Sequence, residues 1–137
     1  MESSHLVSPT GKGLRDDPGG RGHYRAPRGA RWHDGMDFLC EPGQVVVAPI
    51  SGKVAGRSRP YDKGPYDGLV IEGDRLAVKL FYVAPDRGVV GRTVRQGEPV
   101  GRAQDISARY GGGMLAHVHL RIHSADPALF LEAVHGD

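Results

Sequence analysis

The sequence predicts an all-β fold: a twisted, largely antiparallel sheet or open barrel. Three observations carry that expectation. Short apolar runs recur about every 8–12 residues with turn residues between them, the spacing of sandwiches and barrels. The runs are rich in valine, isoleucine and leucine, which suit a pleated, half-buried surface. Finally, 21 glycines and 10 prolines in 137 residues punctuate the chain too often for long helices. A chain of this length builds one hydrophobic core rather than two.

The elements follow in order. Residues 1–21 read as an irregular N-terminal arm, and 22–137 as a single domain, although the polar, Pro/Gly-punctuated texture continues to residue 31. Residues 44–49 and 52–56 read as strands joined near Pro49-Ile50-Ser51-Gly52. Residues 58–67, with Pro60, Gly64 and Pro65, form a long loop. Residues 68–72 and 75–83 make a hairpin across Gly73-Asp74, a strong short-range turn signal. A turn at Gln96-Gly97 interrupts residues 94–100, and residues 117–122 form the last strand. Residues 127–134 are expected to be a short C-terminal helix, with Asp126 as N-cap, Pro127 at the first helical position and Gly136 past the end.

Composition excludes several classes. The longest apolar stretch, residues 45–50, is far too short to span a bilayer, so no membrane insertion is expected. Met1 to His5 show no basic patch followed by an apolar run, and no signal peptide is expected. Cys40 is the single cysteine and permits no internal disulfide, which leaves packing or a metal to supply stability. The net charge of +2 comes with arginines spread among acids from Arg15 to Arg121. No basic block marks a nucleic-acid site, and nucleic-acid binding is not expected.

Two of the histidine clusters carry chemistry. One is His33-x-x-x-Asp37; the other is His117-Val118-His119 inside an apolar strand. On a strand, residues two apart project to the same face, so the imidazoles of His117 and His119 lie side by side. Placed near a third imidazole and a carboxylate, they form a nitrogen and oxygen donor set that suits Zn²⁺. The alternative is that Asp37 caps a turn at Gly35 while the histidines are ordinary hydrogen-bonded polar groups. Cys40 reads as a small buried residue rather than a ligand. Gly111-Gly112-Gly113 reads as a flexible groove wall or a long turn.

His33-x-x-x-Asp37, then Pro42-Gly43-x-x-Val46-x-Ala48-Pro49-x-x-Gly52-x-Val54, then Val94-x-x-Gly97-x-x-Val100-Gly101, and finally His117-x-His119 resemble the lysostaphin/LytM-type zinc endopeptidases. The resemblance spans about residues 22–122. It implies a twisted antiparallel sheet with a zinc groove and hydrolysis of peptide bonds in bacterial peptidoglycan. Carried over by position, it implies His33, Asp37 and His119 as zinc ligands, a three-ligand set with a position left open for catalysis. His117 is then the base that takes a proton from the attacking water.

The family carries a second catalytic histidine in a Tyr-x-His motif on a middle strand; here Tyr82 stands in its place. A phenol cannot act as a base at neutral pH but can donate a hydrogen bond to an oxyanion. Phe81-Tyr82-Val83-x-Pro85, with Val78-Lys79 before it, is similar to the leukocyte cell-derived chemotaxin subgroup, thought to bind zinc without peptidase activity. Gln104-Asp105-Ile106-Ser107-Ala108-Arg109-Tyr110 resembles the phage and bacterial members of that subgroup. The resemblance therefore implies a phage- or prophage-derived lysin acting at the bacterial cell wall, or, because of Tyr82, an inactive zinc-stabilised binding module; the oligomeric state is not fixed by the sequence, and a monomer is the expectation.

Overall fold

The computed structural model describes residues 6–14, 16–17, 20–21, 27–28, 31–32, 35–111 and 113–125. Two short ladders come first: β1 (Asp16–Asp17) pairs with β2 (Gly20–Arg21), and β3 (Pro27–Arg28) with β4 (Arg31–Trp32). The main sheet contains β5 (Gly35–Leu39), β7 (Gly52–Arg57), β8 (Gly68–Glu72), β9 (Leu76–Phe81), β11 (Thr93–Val94) and β13 (His117–Ala125). Its order is β11-β7-β8-β9-β13-β5, and every neighbouring pair is antiparallel. A second sheet has the order β10-β12-β6, from β10 (Val83–Pro85), β12 (Pro99–Ala103) and β6 (Val45–Val47). The only helix among the described residues is α1 (Ser107–Tyr110).

The all-β, antiparallel architecture is the one expected, and the main sheet stays open among the described residues. Alternation along the strands decides its two faces. Val54, Leu69, Ile71, Val78, Leu80, Val118 and Leu120 are fully buried on one face. They join Val46, Val83 and Val100 of the second sheet in one core cluster. Burying each such side chain stabilises the fold by about 1.5–3 kcal/mol. The alternate residues of β9 and β13, Lys79, Phe81, His117, His119 and Arg121, are thereby left to the other face. No helix among the described residues is long and apolar enough to cross a membrane.

Several elements differ from expectation for identifiable reasons. Residues 75–83 are two strands rather than one, because Tyr82 adopts a φ of 69°, the only positive value among the described non-glycine residues. β9 therefore ends in the main sheet and β10 begins in the second. The turn at Gln96-Gly97, with Gly97 at φ 90°, likewise joins strands of different sheets. The final strand runs on to Ala125, past a bulge between Ile122 and Ser124 that leaves His123 exposed. α1 was not foreseen; its four residues carry no apolar periodicity. The helix expected over 127–134 lies outside the described residues.

Residues 6–14, within the expected arm, run against both sheets. The amide of Val7 donates to the Pro49 carbonyl (3.1 Å), that of Val47 to Pro9 (2.9 Å), and that of Leu39 to Gly13 (2.8 Å). Thr10, itself buried, donates its hydroxyl to the Leu39 carbonyl at 2.6 Å. Leu6 packs on the core, and Leu14 bridges to Phe38. These backbone bonds supply order that the segment's own apolar content could not.

Candidate functional site

β13 lies between β9 and β5, so its outward-facing residues meet groups from both neighbours. His119 is the register partner of Asp37 on β5 and of Phe81 on β9. The Asp37 side chain is 2 % exposed as a residue, and its Oδ1 lies 2.6 Å from Nδ1 of His119. Its second oxygen, Oδ2, is 3.7 Å from Nε2 of His117, beyond hydrogen-bond reach. Nδ1 of His117 donates to the Leu115 carbonyl at 2.8 Å, because a carbonyl can only accept. In the neutral ring Nε2 therefore keeps its lone pair and turns it toward Asp37.

A carboxylate buried this deeply needs compensating positive charge. The two imidazoles can supply it as imidazolium or by sharing a cation, and one carboxylate with converging imidazole nitrogens is a donor set that fits zinc. Among the described residues, no group of three or more His, Cys, Asp or Glu side chains is arranged to hold a metal ion. His33, the expected third ligand, lies outside the described residues. Asp37, His117 and His119 are brought together.

Gly35 has a role that the sequence did not disclose, where a turn there was only the alternative to a metal site. It opens β5, and a Cβ placed there would lie 2.1 Å from the Leu120 carbonyl oxygen and 3.0 Å from Nε2 of His119. Only glycine allows β13 and the His119 ring to approach this closely.

Tyr82 enters the site through its backbone. Strand alternation would direct it into the core, opposite to Phe81; the left-handed turn returns its ring to the open face. That conformation costs a non-glycine residue about 1–2 kcal/mol. Backbone hydrogen bonds hold it: the Tyr82 amide donates to the Asp67 carbonyl (2.8 Å), and the Gln104 amide donates to the Tyr82 carbonyl (2.8 Å). The Tyr82 ring then meets His117 edge-on, with centroids 5.5 Å apart, while Phe81 stacks on His119 at 5.8 Å.

Asp67 is the pivot of this corner. Burial alone would raise its carboxyl, but hydrogen bonds from Arg57 and from the Gly68 amide outweigh that effect and hold it below the ordinary carboxylate range. Behind Tyr82, Tyr61 stacks at 6.4 Å, and Tyr66 meets both rings edge-on at 6.1 Å. The Arg109 guanidinium covers Tyr61 at 4.0 Å, and the Tyr61 and Tyr110 hydroxyls are hydrogen-bonded. Burial, followed by hydrogen bonds to Tyr110 and Tyr82, pushes the Tyr61 phenol well above its usual value.

Tyr61 and Tyr82 line a cleft of about 380 Å³, whose walls also include Arg59, Lys79, Phe81, His119 and Arg121. Lys79 and Arg121 are direct register partners on β9 and β13. A like-charge pair in this position costs about 0.2–1 kcal/mol. Sequence reasoning overlooked these cations, although strand parity marks them: Arg121 lies two residues beyond His119, and Lys79 two before Phe81. Cys40 is buried in the core, and burial pushes its thiol up to about 11.

An open antiparallel sheet that sets a His-x-His strand against a buried aspartate has the fold of the lysostaphin-type peptidases. A putative peptidase M23 from Pseudomonas aeruginosa superposes with a TM-score of 0.61 at 21 % identity; the match covers 97 % of this chain and 53 % of that one, so this chain spans about half its length. A zinc containing peptidase from Vibrio cholerae gives a TM-score of 0.59 at 20 % identity, over 92 % of this chain and 41 % of that one. The catalytic domain of lysostaphin from Staphylococcus simulans gives 0.53 at 24 % identity, over 85 % and 92 %. No protein-family model matches the chain.

Sequence likeness is more particular. Leukocyte cell-derived chemotaxin-2 of Mus musculus is 36 % identical over 118 residues, covering 84 % of this chain and 76 % of that protein. The Bos taurus protein of that name is 31 % identical over the same shares. The chain belongs to the leukocyte cell-derived chemotaxin-2 family.

Proposed function

We propose that the protein is a zinc-dependent endopeptidase that hydrolyses peptide bonds of bacterial peptidoglycan, with residues 22–137 as the catalytic unit and 1–21 as its arm. The observation that carries this reading is the buried Asp37 carboxylate facing Nδ1 of His119 at 2.6 Å, with His117 beside it. In this reading Asp37 and His119, joined by His33, hold the metal. Zinc in such a site supplies Lewis-acid activation of water and of a peptide carbonyl near neutral pH.

The protein's own groups do the rest. Nε2 of His117, its other nitrogen fixed by Leu115, is oriented to accept a proton from the attacking water. The Tyr82 hydroxyl donates a hydrogen bond to the developing oxyanion. The cleft holds the peptide against His119. The fold shared with lysostaphin and with a zinc containing peptidase supports the assignment. Action at the cell wall as a monomeric phage- or prophage-derived lysin completes the proposal.

A second reading is favoured by Tyr82, whose ring packs on His117 and which stands where the family resemblance implies a histidine. On that reading the protein is a zinc-stabilised module that binds without cleaving. Digestion of purified sacculi with zinc-loaded protein, followed by mass analysis of released fragments, separates the two. New amino termini that vanish in His117→Ala with the metal retained support the endopeptidase. Wall binding without fragments supports the module.

A further inference from the structure

The left-handed turn at Tyr82 lies in a closed circuit of hydrogen bonds, in which three residues each donate a backbone amide to the next. Tyr82 donates to the Asp67 carbonyl at 2.8 Å, and Gln104 donates to the Tyr82 carbonyl at 2.8 Å. The Asp67 amide closes the circuit, but its acceptor is a side chain: Oε1 of Gln104, at 2.9 Å. The same carboxamide donates through Nε2 to the Pro65 carbonyl at 2.8 Å. Gln104 follows directly on β12, whose last residue, Ala103, is paired with Val83. One glutamine thus ties the loop before β8 to the corner between β9 and β10.

Only one link of the circuit depends on residue type. Two acceptors are backbone carbonyls, which survive any substitution; the third is the Gln104 carboxamide. Asp67 is buried at 6 % exposure, so its amide cannot readily exchange that acceptor for water. Asparagine is one methylene shorter, and glutamate supplies the acceptor without the Nε2 donor. Tyr66 also joins the two segments, donating its hydroxyl to the Asp105 carbonyl at 2.8 Å, but that bond bypasses Tyr82.

A non-glycine residue held at a φ of 69° persists only where its surroundings over-determine it. The direction of the ring follows from that torsion. An extended Tyr82 would turn its ring to the core side, away from the edge-on contact with His117 at 5.5 Å.

We infer that Gln104 is a positioning residue: its carboxamide, acting through Asp67, fixes the Tyr82 turn and so keeps the Tyr82 ring against His117. The inference rests on the part that the endopeptidase reading gives to Tyr82, while its geometric half can be tested without turnover.

The test uses the whole chain, zinc-loaded and isotope-labelled. In the parent, the amides of Asp67, Tyr82 and Gln104 are expected to be protected from hydrogen exchange together, on the order of 100-fold or more over an open chain. Gln104→Met keeps the length of the side chain but removes the acceptor. It should lose protection at Asp67 and Tyr82 and weaken the NOE between the Tyr82 and His117 rings. Its kcat for sacculus digestion should fall about tenfold, with KM within about twofold of the parent. Gln104→Glu, which retains an acceptor, should keep the ring contact and a kcat within about threefold of the parent. In a Tyr82→Phe background, Gln104→Met should change kcat by less than about twofold, because its effect travels through the phenol. A lower unfolding midpoint with kcat and the ring contact preserved makes Gln104 merely structural and overturns the inference. A freely exchanging Asp67 amide in the parent overturns it without any variant. Failure of the parent to digest sacculi removes the endopeptidase; loss of the ring contact in Gln104→Met then still supports the placement of Tyr82 by Gln104, and its retention overturns it.

Discussion

His119 and Asp37 are register partners on adjacent strands, and the imidazole Nδ1 meets the carboxylate Oδ1 at 2.6 Å. The contact is set by sheet pairing rather than by a loop, so its geometry is as rigid as the β13–β5 ladder itself. Donor groups fixed by a ladder lose little freedom on binding a ligand.

That contact gives the most direct prediction. If the proposed zinc site is right, the parent protein should retain zinc through dialysis against metal-free buffer and Asp37→Ala should lose it, read by elemental analysis. Leaving imidazole nitrogens without their carboxylate should also lower stability by about 1–3 kcal/mol in urea unfolding. A variant that keeps stoichiometric zinc would show that Asp37 is no ligand.

Gly35 and Gly56 form a matched pair of controls. A methyl group at 35 meets the Leu120 carbonyl at 2.1 Å, whereas nothing lies within 4 Å of one at 56. Gly35→Ala should cost about 1–3 kcal/mol through overpacking, with a shift of the His119 ring signals. Gly56→Ala should be neutral or stabilise by up to about 1 kcal/mol. Equal unfolding midpoints would contradict the close approach.

The Tyr82 hydroxyl can be isolated from its ring. Tyr82→Phe preserves the packing on His117 but removes the donor, so kcat for sacculus digestion should fall by about 10²–10³ with KM little changed. An undiminished rate would take the phenol out of the mechanism.

Cys40 supplies a pH prediction. Burial, opposed weakly by Lys12, raises its thiol from 9.0 to about 11 in the folded state. The folded protein keeps the proton longer than the unfolded chain does. The resulting stability is complete below about pH 9 and is lost as pH rises toward 11. Urea midpoints of the parent should therefore decline more steeply over that window than those of Cys40→Ala. At mildly alkaline pH, iodoacetamide should label the thiol only after unfolding.

Strand positions were legible because period-2 burial is written directly into residues such as Val118 and Leu120, with which His117 and His119 alternate. The same parity showed that the two imidazoles share a face. Which strand lies opposite was not legible from periodicity: only the fold reveals that Asp37 is paired with His119, or that Arg121 is paired with Lys79. Tyr82 was readable as a substitution in a motif but not as a backbone event. Its left-handed turn depends on hydrogen bonds to Asp67 and Gln104, which lie 15 or more residues away in the chain. Gly35 was ambiguous for a related reason, since a glycine needed for interstrand approach looks the same in sequence as one needed for a turn.

The contacts of residues 6–14 with β6 and β5 have a practical consequence for anyone shortening the chain. β5 ends the larger sheet and β6 ends the smaller one, so removing this segment bares two rows of amide and carbonyl groups at once. Bare rows of that kind recruit strands from neighbouring molecules. A truncated preparation beginning after Leu14 should scatter light increasingly with concentration, and trimming meant to tidy the terminus would instead seed aggregation.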